Sequence, residues 1–251
     1  MKKNLWIIPV VLLAVVGLLL VTNKNEKKEV KGKIYYIPLG DSIAEGVNEE
    51  GIVGKGYADF IYEYLVKENR LDFYTKRFAK SGYTIDDVKN DIVNDKMVEI
   101  NGEKVYIQNA LSNANLITLT VGANDFIKNL DFTNYTSKLE NMEETKKELD
   151  EILKKNEELI DLIMTYNNKQ IIVTGYFNPF PGIRDNWEEI NELVEYYNNS
   201  LENICLRKEI DYVNLFKLFY RDTKSLPNSA NIHPSEYGYK LIADEMIKII
   251  K

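Results

Sequence analysis

The sequence predicts an α/β fold in which a parallel sheet carries helices on both faces. From residue 33 to the end of the chain, short apolar stretches of strand length alternate with longer stretches that have apolar residues at helical spacing. The stretch NLITLTVG at 115–122 has the clearest pattern of a buried strand. Because parallel strands need crossover connections, which are usually helices, this alternation favours a parallel sheet covered by helices.

The strand candidates are short apolar runs bounded by turn residues. Within VEINGEKVYI (98–107), the dipeptide Asn101-Gly102 favours a tight antiparallel hairpin. The run KIYYIPLG (33–40) predicts a buried strand that ends at a glycine. The remaining strands are predicted at 73–79, 115–122, 170–175 and 211–215.

The helix candidates have apolar residues at helical spacing and polar residues between them. The helix at 84–95 has the clearest start, because Thr84 can cap its N-terminus ahead of Asp86 and Asp87. The other helices are predicted at 56–70, about 138–168 (one long charged helix or a pair), 187–207 and 236–250.

The composition excludes several function classes. A net charge of −7 argues against nucleic-acid binding and against tight binding to anionic lipid headgroups. Cys205 is the single cysteine, so the chain has no intramolecular disulfide and no cysteine metal cluster. Its apolar surroundings, LENICL, predict a buried structural thiol. The apolar fraction of 45% fits one globular domain of ordinary size.

The first thirty residues are predicted to lie outside the folded domain. Lys2 and Lys3 precede an apolar run from Leu5 to Val21, at the lower edge of the ~18–20 residues that span a bilayer. Since no small-residue cleavage pattern follows, residues 1–22 predict a retained signal anchor, with a cleaved signal peptide as the alternative. A charged linker at 23–32 then leads to the domain at 33–251. The domain is expected outside the cytoplasm, anchored to the membrane or secreted.

Four segments hold the candidate site residues, mostly in loops where ligands of parallel sheets bind, at the carboxyl ends of the strands. They contain Ser42 in LGDSIAEGV, Gly82 in KSGYT, Asn124 in VGAND and His233 in NIHPSEYGY. Taken singly, each residue has a structural interpretation as a helix cap, a turn residue or a structural histidine.

Taken together, the segments resemble the blocks of the SGNH/GDSL hydrolase family. GDS at 40–42, SGYT at 81–84, GAND at 122–125 and HPSEYGYKLIA at 233–243 match the four blocks in order. The likeness extends over about 33–250 and is nearest to secreted or anchored acylhydrolases of bacilli. It implies a flavodoxin-like α/β/α three-layer sandwich with a central parallel sheet of about five strands.

The resemblance also implies a chemistry, which is hydrolysis of carboxylic esters through an acyl-serine intermediate, with no metal or other cofactor. Ser42 would be the nucleophile, in a loose and exposed loop, and His233 the base. The backbone N–H groups of Ser42 and Gly82 and the side-chain amide of Asn124 would hold the oxyanion. The substrate would be a small-molecule, lipid or glycan ester. The apolar and aromatic loop at 176–181 favours an acyl chain over an acetyl group.

This chain departs from the family pattern in the last block, D-x-x-H, because it has Ala230 where the family has its aspartate. Asn231 could accept the Nδ1–H of His233 through its side-chain oxygen, as asparagine does in papain-like sites. A backbone carbonyl near 230–231 could do the same. A carboxylate remote in sequence, such as Asp211, is a further candidate.

The remaining interpretation is that the site is catalytically weak or dead, and that the protein is a binding module for acylated glycan or lipid. Retention of Ser42, Gly82, Asn124 and His233 favours an active enzyme.

Overall fold

The computed structural model describes residues 32–129, 139, 141–166, 168–178, 187–220, 222–229 and 231–251. Residues Lys33–Lys251 form one structural unit. The predicted anchor at 1–22, the linker up to residue 31 and Ala230 lie outside the described residues. Within the described ranges, no helix is long and apolar enough to cross a membrane.

The central sheet is made of parallel strands. They are β1 (Ile34–Gly40), β2 (Leu71–Tyr74), β5 (Leu116–Thr120), β6 (Gln170–Thr174) and β7 (Asp211–Val213). Their order across the sheet is β2-β1-β5-β6-β7. The order reverses between β1 and β5, and in doubly wound sheets ligands bind at the carboxyl ends of the strands on either side of such a point. The predicted five-stranded parallel sheet is confirmed.

Helices cover both faces of this sheet, because successive side chains of a strand point to opposite sides. Ile37 and Leu39 of β1 pack in one hydrophobic cluster, and Ile34 and Tyr36 pack in a second. The first cluster includes α3 (Ile85–Val93), α4 (Ile107–Asn113), α6 (Met142–Tyr166) and α7 (Trp187–Arg207), and the second includes α2 (Tyr57–Lys67) and α9 (Glu236–Ile249). The short helices are α1 (Ser42–Glu45), α5 (Ala123–Asn129) and α8 (Leu215–Phe219). The predicted three-layer α/β/α architecture is confirmed.

Local sequence signals predicted three features correctly. Thr84 accepts a hydrogen bond from the backbone N–H of Asp87, whose carboxylate accepts one from the backbone N–H of Thr84 in return. Strands β3 (Met97–Ile100) and β4 (Glu103–Tyr106) form the hairpin, and Asn101 and Gly102 both have positive φ, as a type I′ turn requires. Cys205 is buried.

The strand predicted at 73–79 is wrong in its extent. Strand β2 ends at Tyr74, and the chain then turns, with the Thr75 hydroxyl accepting the backbone N–H of Arg77. Ala79 returns to the sheet as an isolated parallel bridge to Gly40. This return brings the segment at 81–84 to the carboxyl end of β1.

Helix α4 is an element that the sequence did not predict. It has seven residues, which give less than two turns of about 3.6 residues each for a helical pattern to appear.

Candidate active site

Ser42 begins helix α1 directly after β1. Gly40 has a φ of +131°, and a Cβ at this position would lie 1.9 Å from the carbonyl oxygen of Thr120, so β1 can approach β5 this closely only with glycine here. The side chain of Asp41 caps α1 by accepting the backbone N–H of Ile43 at 3.0 Å. Ser42 is 6% exposed. The expectation of a loose, exposed serine loop is therefore wrong, because the cap and the close contact with β5 hold the turn.

Asp41 is a buried carboxyl group beside the candidate nucleophile. It is 1% exposed, and its Oδ2 atom has no hydrogen-bond partner among the described residues. Burial raises the pKa of Asp41 to about 7, the hydrogen bond from Ile43 opposes this rise, and the charge of Asp125 adds to it. This carboxyl group is therefore partly protonated near neutral pH.

The segments around Ser42, Gly82 and Asn124 are joined by hydrogen bonds. The backbone N–H of Ser81 donates to the Glu45 carboxylate in α1 at 2.6 Å. The Asn124 amide donates from Nδ2 to the backbone carbonyl of Tyr83 at 2.9 Å. This contact orients the NH₂ end of the amide, which keeps a second N–H for another acceptor. Gly82 has a φ of +81° and open space where a Cβ would stand, so its conformation rather than crowding favours glycine.

His233 has an amide oxygen as its Nδ1 partner. Its Nδ1 lies 2.6 Å from Oδ1 of Asn231, and the same Oδ1 accepts the backbone N–H of His233 at 3.1 Å. A backbone N–H can only donate, so the shared atom must be the amide oxygen, and Nδ1 must carry the proton. In the neutral imidazole Nε2 is then free of a proton, which is the tautomer that a general base needs. Burial lowers the pKa of His233.

The loop that follows α1 contacts the loop that carries His233. Asn228 donates from Nδ2 to the backbone carbonyl of Glu49 at 2.8 Å. Tyr239 donates to the carbonyl of Val47 at 2.5 Å. Among the described residues, Ser42 and His233 share no hydrogen bond, but Ile232 and Ser42 line one groove. The Asn228 contact joins the two loops, and Tyr239 joins the loop after α1 to helix α9.

The other candidate partners of His233 have different outcomes. The backbone carbonyl of Ala230 lies outside the described residues. Asp211 is at the first residue of β7, and its carboxylate accepts a hydrogen bond from Gln170 at 2.7 Å, at the first residue of β6. Both residues therefore lie at the amino ends of the parallel strands, whereas the candidate site lies at the carboxyl ends. Asp211 does not reach His233.

An apolar groove is lined by Ser42 and Asn124, by further residues of helices α5 and α7, and by Leu149 of α6. Its empty space, including the part open to solvent, is about 790 Å³. Tyr176 and Phe177, from the loop expected to favour an acyl chain, also line it. Residues 179–181 of that loop lie outside the described residues. In the described part of the chain, no three His, Cys, Asp or Glu side chains are grouped to hold a metal ion.

The three-layer fold and the four segments named above define an SGNH-type hydrolase. The chain belongs to the GDSL-like lipase/acylhydrolase family, whose model matches residues 39–241. It is similar to the uncharacterized protein YpmR of Bacillus subtilis (strain 168), with 25% identity over 233 residues that cover 91% of this chain and 86% of YpmR.

Two solved structures have the same fold at low sequence identity. One is the lipase Lip_vut3 from a goat rumen metagenome, with a TM-score of 0.66 and 19% identity over 85% of this chain and 95% of the lipase. The other is a catalytic mutant of Axe2, an acetylxylan esterase from Geobacillus stearothermophilus, with a TM-score of 0.61 and 19% identity over 87% of this chain and 94% of Axe2.

Proposed function

We propose that this protein is a serine hydrolase that cleaves carboxylic esters through an acyl-serine intermediate. The observation that carries the proposal is the hydrogen bond from His233 Nδ1 to Asn231 Oδ1, at 2.6 Å. It leaves Nε2 as the acceptor that the proton of Ser42 requires. Family membership supports ester hydrolysis as the reaction class.

In the proposed mechanism, Ser42 Oγ attacks the ester carbonyl carbon while His233 Nε2 takes the hydroxyl proton. The backbone N–H groups of Ser42 and Gly82, with Asn124 Nδ2, donate to the oxyanion that forms. The imidazolium then gives its proton to the departing alcohol oxygen, and the ester C–O bond breaks. A water molecule, activated by the same imidazole, releases the acid from Ser42.

The proposed site differs from a complete triad in the charge of the residue that orients the histidine. Axe2 was solved as catalytic mutants in which a serine, a histidine or an aspartate is replaced by alanine. In this chain the neutral Asn231 would orient His233. An amide can fix the imidazole tautomer, but it stabilises the imidazolium less than a carboxylate does. We therefore expect an active enzyme with a lower kcat than a complete triad supports.

A binding module for acylated glycan or lipid is the second candidate, because Ala230 stands at the family's acid position. A fluorophosphonate probe separates the two functions, since it labels an activated serine. We expect labelling of the wild-type chain at Ser42, and neither labelling nor esterase activity in Ser42→Ala. Binding of an ester without labelling or turnover in the wild-type chain would instead identify a binding module.

We further propose that the domain works outside the cytoplasm. The apolar run from Leu5 to Val21, predicted to be a signal anchor or a signal peptide, supports this placement. Protease treatment of intact cells should degrade the domain if it is anchored on the outer side, and secretion would place it in the medium. Full protection of a cell-associated domain until lysis would contradict the proposal.

A further inference from the structure

The groove beside Ser42 is almost entirely apolar. Beyond Ser42 and Asn124, its walls include Phe126 and Ile127 from α5 and Val194 from α7. Leu149, Ile190 and Leu193 add further aliphatic surface from α6 and α7. Among the described residues that line it, Asp41 is the one charged group. Such a wall favours a hydrocarbon ligand over a sugar, whose hydroxyl groups would lose hydrogen bonds to water there.

The direction of the groove distinguishes the two halves of an ester. The departing alcohol must receive its proton from His233, so this half lies on the histidine side of Ser42. His233 does not line the groove, and from its loop Ile232 contributes to the wall. Asn124, the proposed oxyanion donor, is on α5 and lines the groove together with residues of α6 and α7. The half that stays bound to Ser42, the acyl group, is therefore the half that enters the groove.

We propose that this groove is an acyl-chain site, and that the preferred substrates are esters of medium or long aliphatic acids rather than acetyl esters. The inference rests on the proposed reaction at Ser42 and adds the substrate class to it. Ile127 and Val194 are proposed as specificity-determining residues. Each CH₂ group that the groove removes from water favours the longer acyl chain by up to about fourfold in kcat/KM.

The first test measures kcat/KM in two series of esters. Nitrophenyl esters from acetyl to decanoyl vary the acyl half with a constant alcohol, and acetates of alcohols of increasing length vary the other half. We expect kcat/KM to rise by about tenfold or more along the acyl series and to change little along the alcohol series. A preference for acetyl, or a rise along the alcohol series only, would overturn the acyl-chain site while leaving ester hydrolysis intact. No turnover of any ester, with no fluorophosphonate labelling, would overturn the proposed function and this inference with it.

The second test fills the groove with a larger side chain. Val194→Trp and Ile127→Trp should each lower the ratio of decanoyl to acetyl kcat/KM by about tenfold, because the indole occupies space that the chain would use. Ile127 is only partly buried, so this variant should fold even if the more buried Val194 variant does not. Leu206→Trp is the matched control, since Leu206 lies on the same helix as Val194 and is 67% exposed. Folded groove variants with the wild-type ratio would contradict the assignment.

Discussion

At His233, an uncharged amide contacts the ring nitrogen that a carboxylate contacts in a complete triad. The contact from Nδ1 to Asn231 Oδ1 is short, and a second bond from the His233 backbone holds the same oxygen. The ring is thus oriented without a negative charge that would favour its protonation. Burial acts in the same direction, because it disfavours the charged form.

The pH profile should show this difference. Since burial lowers the pKa of His233 below its ordinary value of about 6.5, the neutral base persists to lower pH. We expect kcat/KM to rise with pH around a midpoint below about 6.5. Because Asp41 titrates nearby, the profile should also be measured in Asp41→Asn, which should retain this midpoint. A profile that is flat from pH 5 to 8 would argue against histidine as the base.

Replacing Asn231 tests its role as a positioning residue. Asn231→Ala should lower kcat by about ten- to a hundredfold, the effect of losing one well-placed hydrogen bond, with little change in KM. Ala230→Asp should add little in the wild-type background, because Nδ1 already has a partner. If Asn231→Ala is nearly silent, a backbone carbonyl is the partner instead. If Ala230→Asp accelerates turnover and raises the kinetic pKa, the wild-type ring has no effective partner.

Asp41 should make stability depend on pH. Its pKa is about 7 in the folded chain and returns to about 3.9 on unfolding. At pH values between these two pKa values, the folded state binds more protons than the unfolded state does. The contribution of Asp41 to the free energy of unfolding therefore falls as pH rises, by up to about 1.4 kcal/mol per pH unit. Urea unfolding should show the free energy of unfolding of the wild type falling relative to that of Asp41→Asn from about pH 4 to 7, and levelling off above about pH 8. A difference that does not vary with pH would contradict the raised pKa of Asp41.

At the level of elements, the loop after α1 and the loop before α9 support each other. Asn48 holds the first loop by accepting the backbone N–H groups of Glu50 and Ile52. The carbonyl of Glu49 then accepts the side chain of Asn228, three residues before Asn231. Because the first loop follows the helix that begins at Ser42 and the second loop carries His233, this contact affects the position of His233 relative to Ser42.

Asn228→Ala should therefore lower kcat by up to about tenfold, the effect of one ordinary hydrogen bond, and leave KM nearly unchanged. Asn113→Ala is the control, since the Asn113 amide bonds only within its own helical turn, to Asn109. Activity and the urea midpoint should be measured together. Loss of stability in Asn228→Ala with normal kcat would assign the contact to folding rather than to the site.

Elements were predictable where their signals are local. The cap at Thr84 and the turn at Asn101-Gly102 depend on residues within four positions of each other. The end of β2 was predicted wrongly because the sequence FYTKRFA (73–79) is typical of a single continuous strand. In the fold, Lys76 in its centre bonds to Asp59 on α2 at 2.6 Å, and the chain turns there. That contact joins residues far apart in sequence.

At the level of the whole molecule, the domain should function without its first thirty residues. Strand β1 begins at Ile34 and residues Lys33–Lys251 form one unit, so removal of residues 1–30 should leave the hydrophobic clusters complete. We expect the shortened chain to be monodisperse in gel filtration. Its kcat/KM should equal the kcat/KM of the full chain, which is measured in detergent. Aggregation of the shortened chain would show that the apolar run belongs to the fold.

The sequence by itself determined the α/β class, the parallel sheet and the four segments at its carboxyl edge, because strand–helix alternation and short motifs are local properties. The roles of Ser42, Gly82, Asn124 and His233 remain predictions drawn from those motifs. Only the tertiary structure decided that Ser42 and its neighbour Asp41 are buried. It also decided that Asp211 lies at the amino end of its strand, away from the candidate site. The tertiary structure further decided that the amide oxygen of Asn231 contacts His233. A second contact, from Asn228 to Glu49, joins two loops whose residues are 179 positions apart. Burial and such contacts depend on which distant segments pack together, and no short stretch of sequence contains that information.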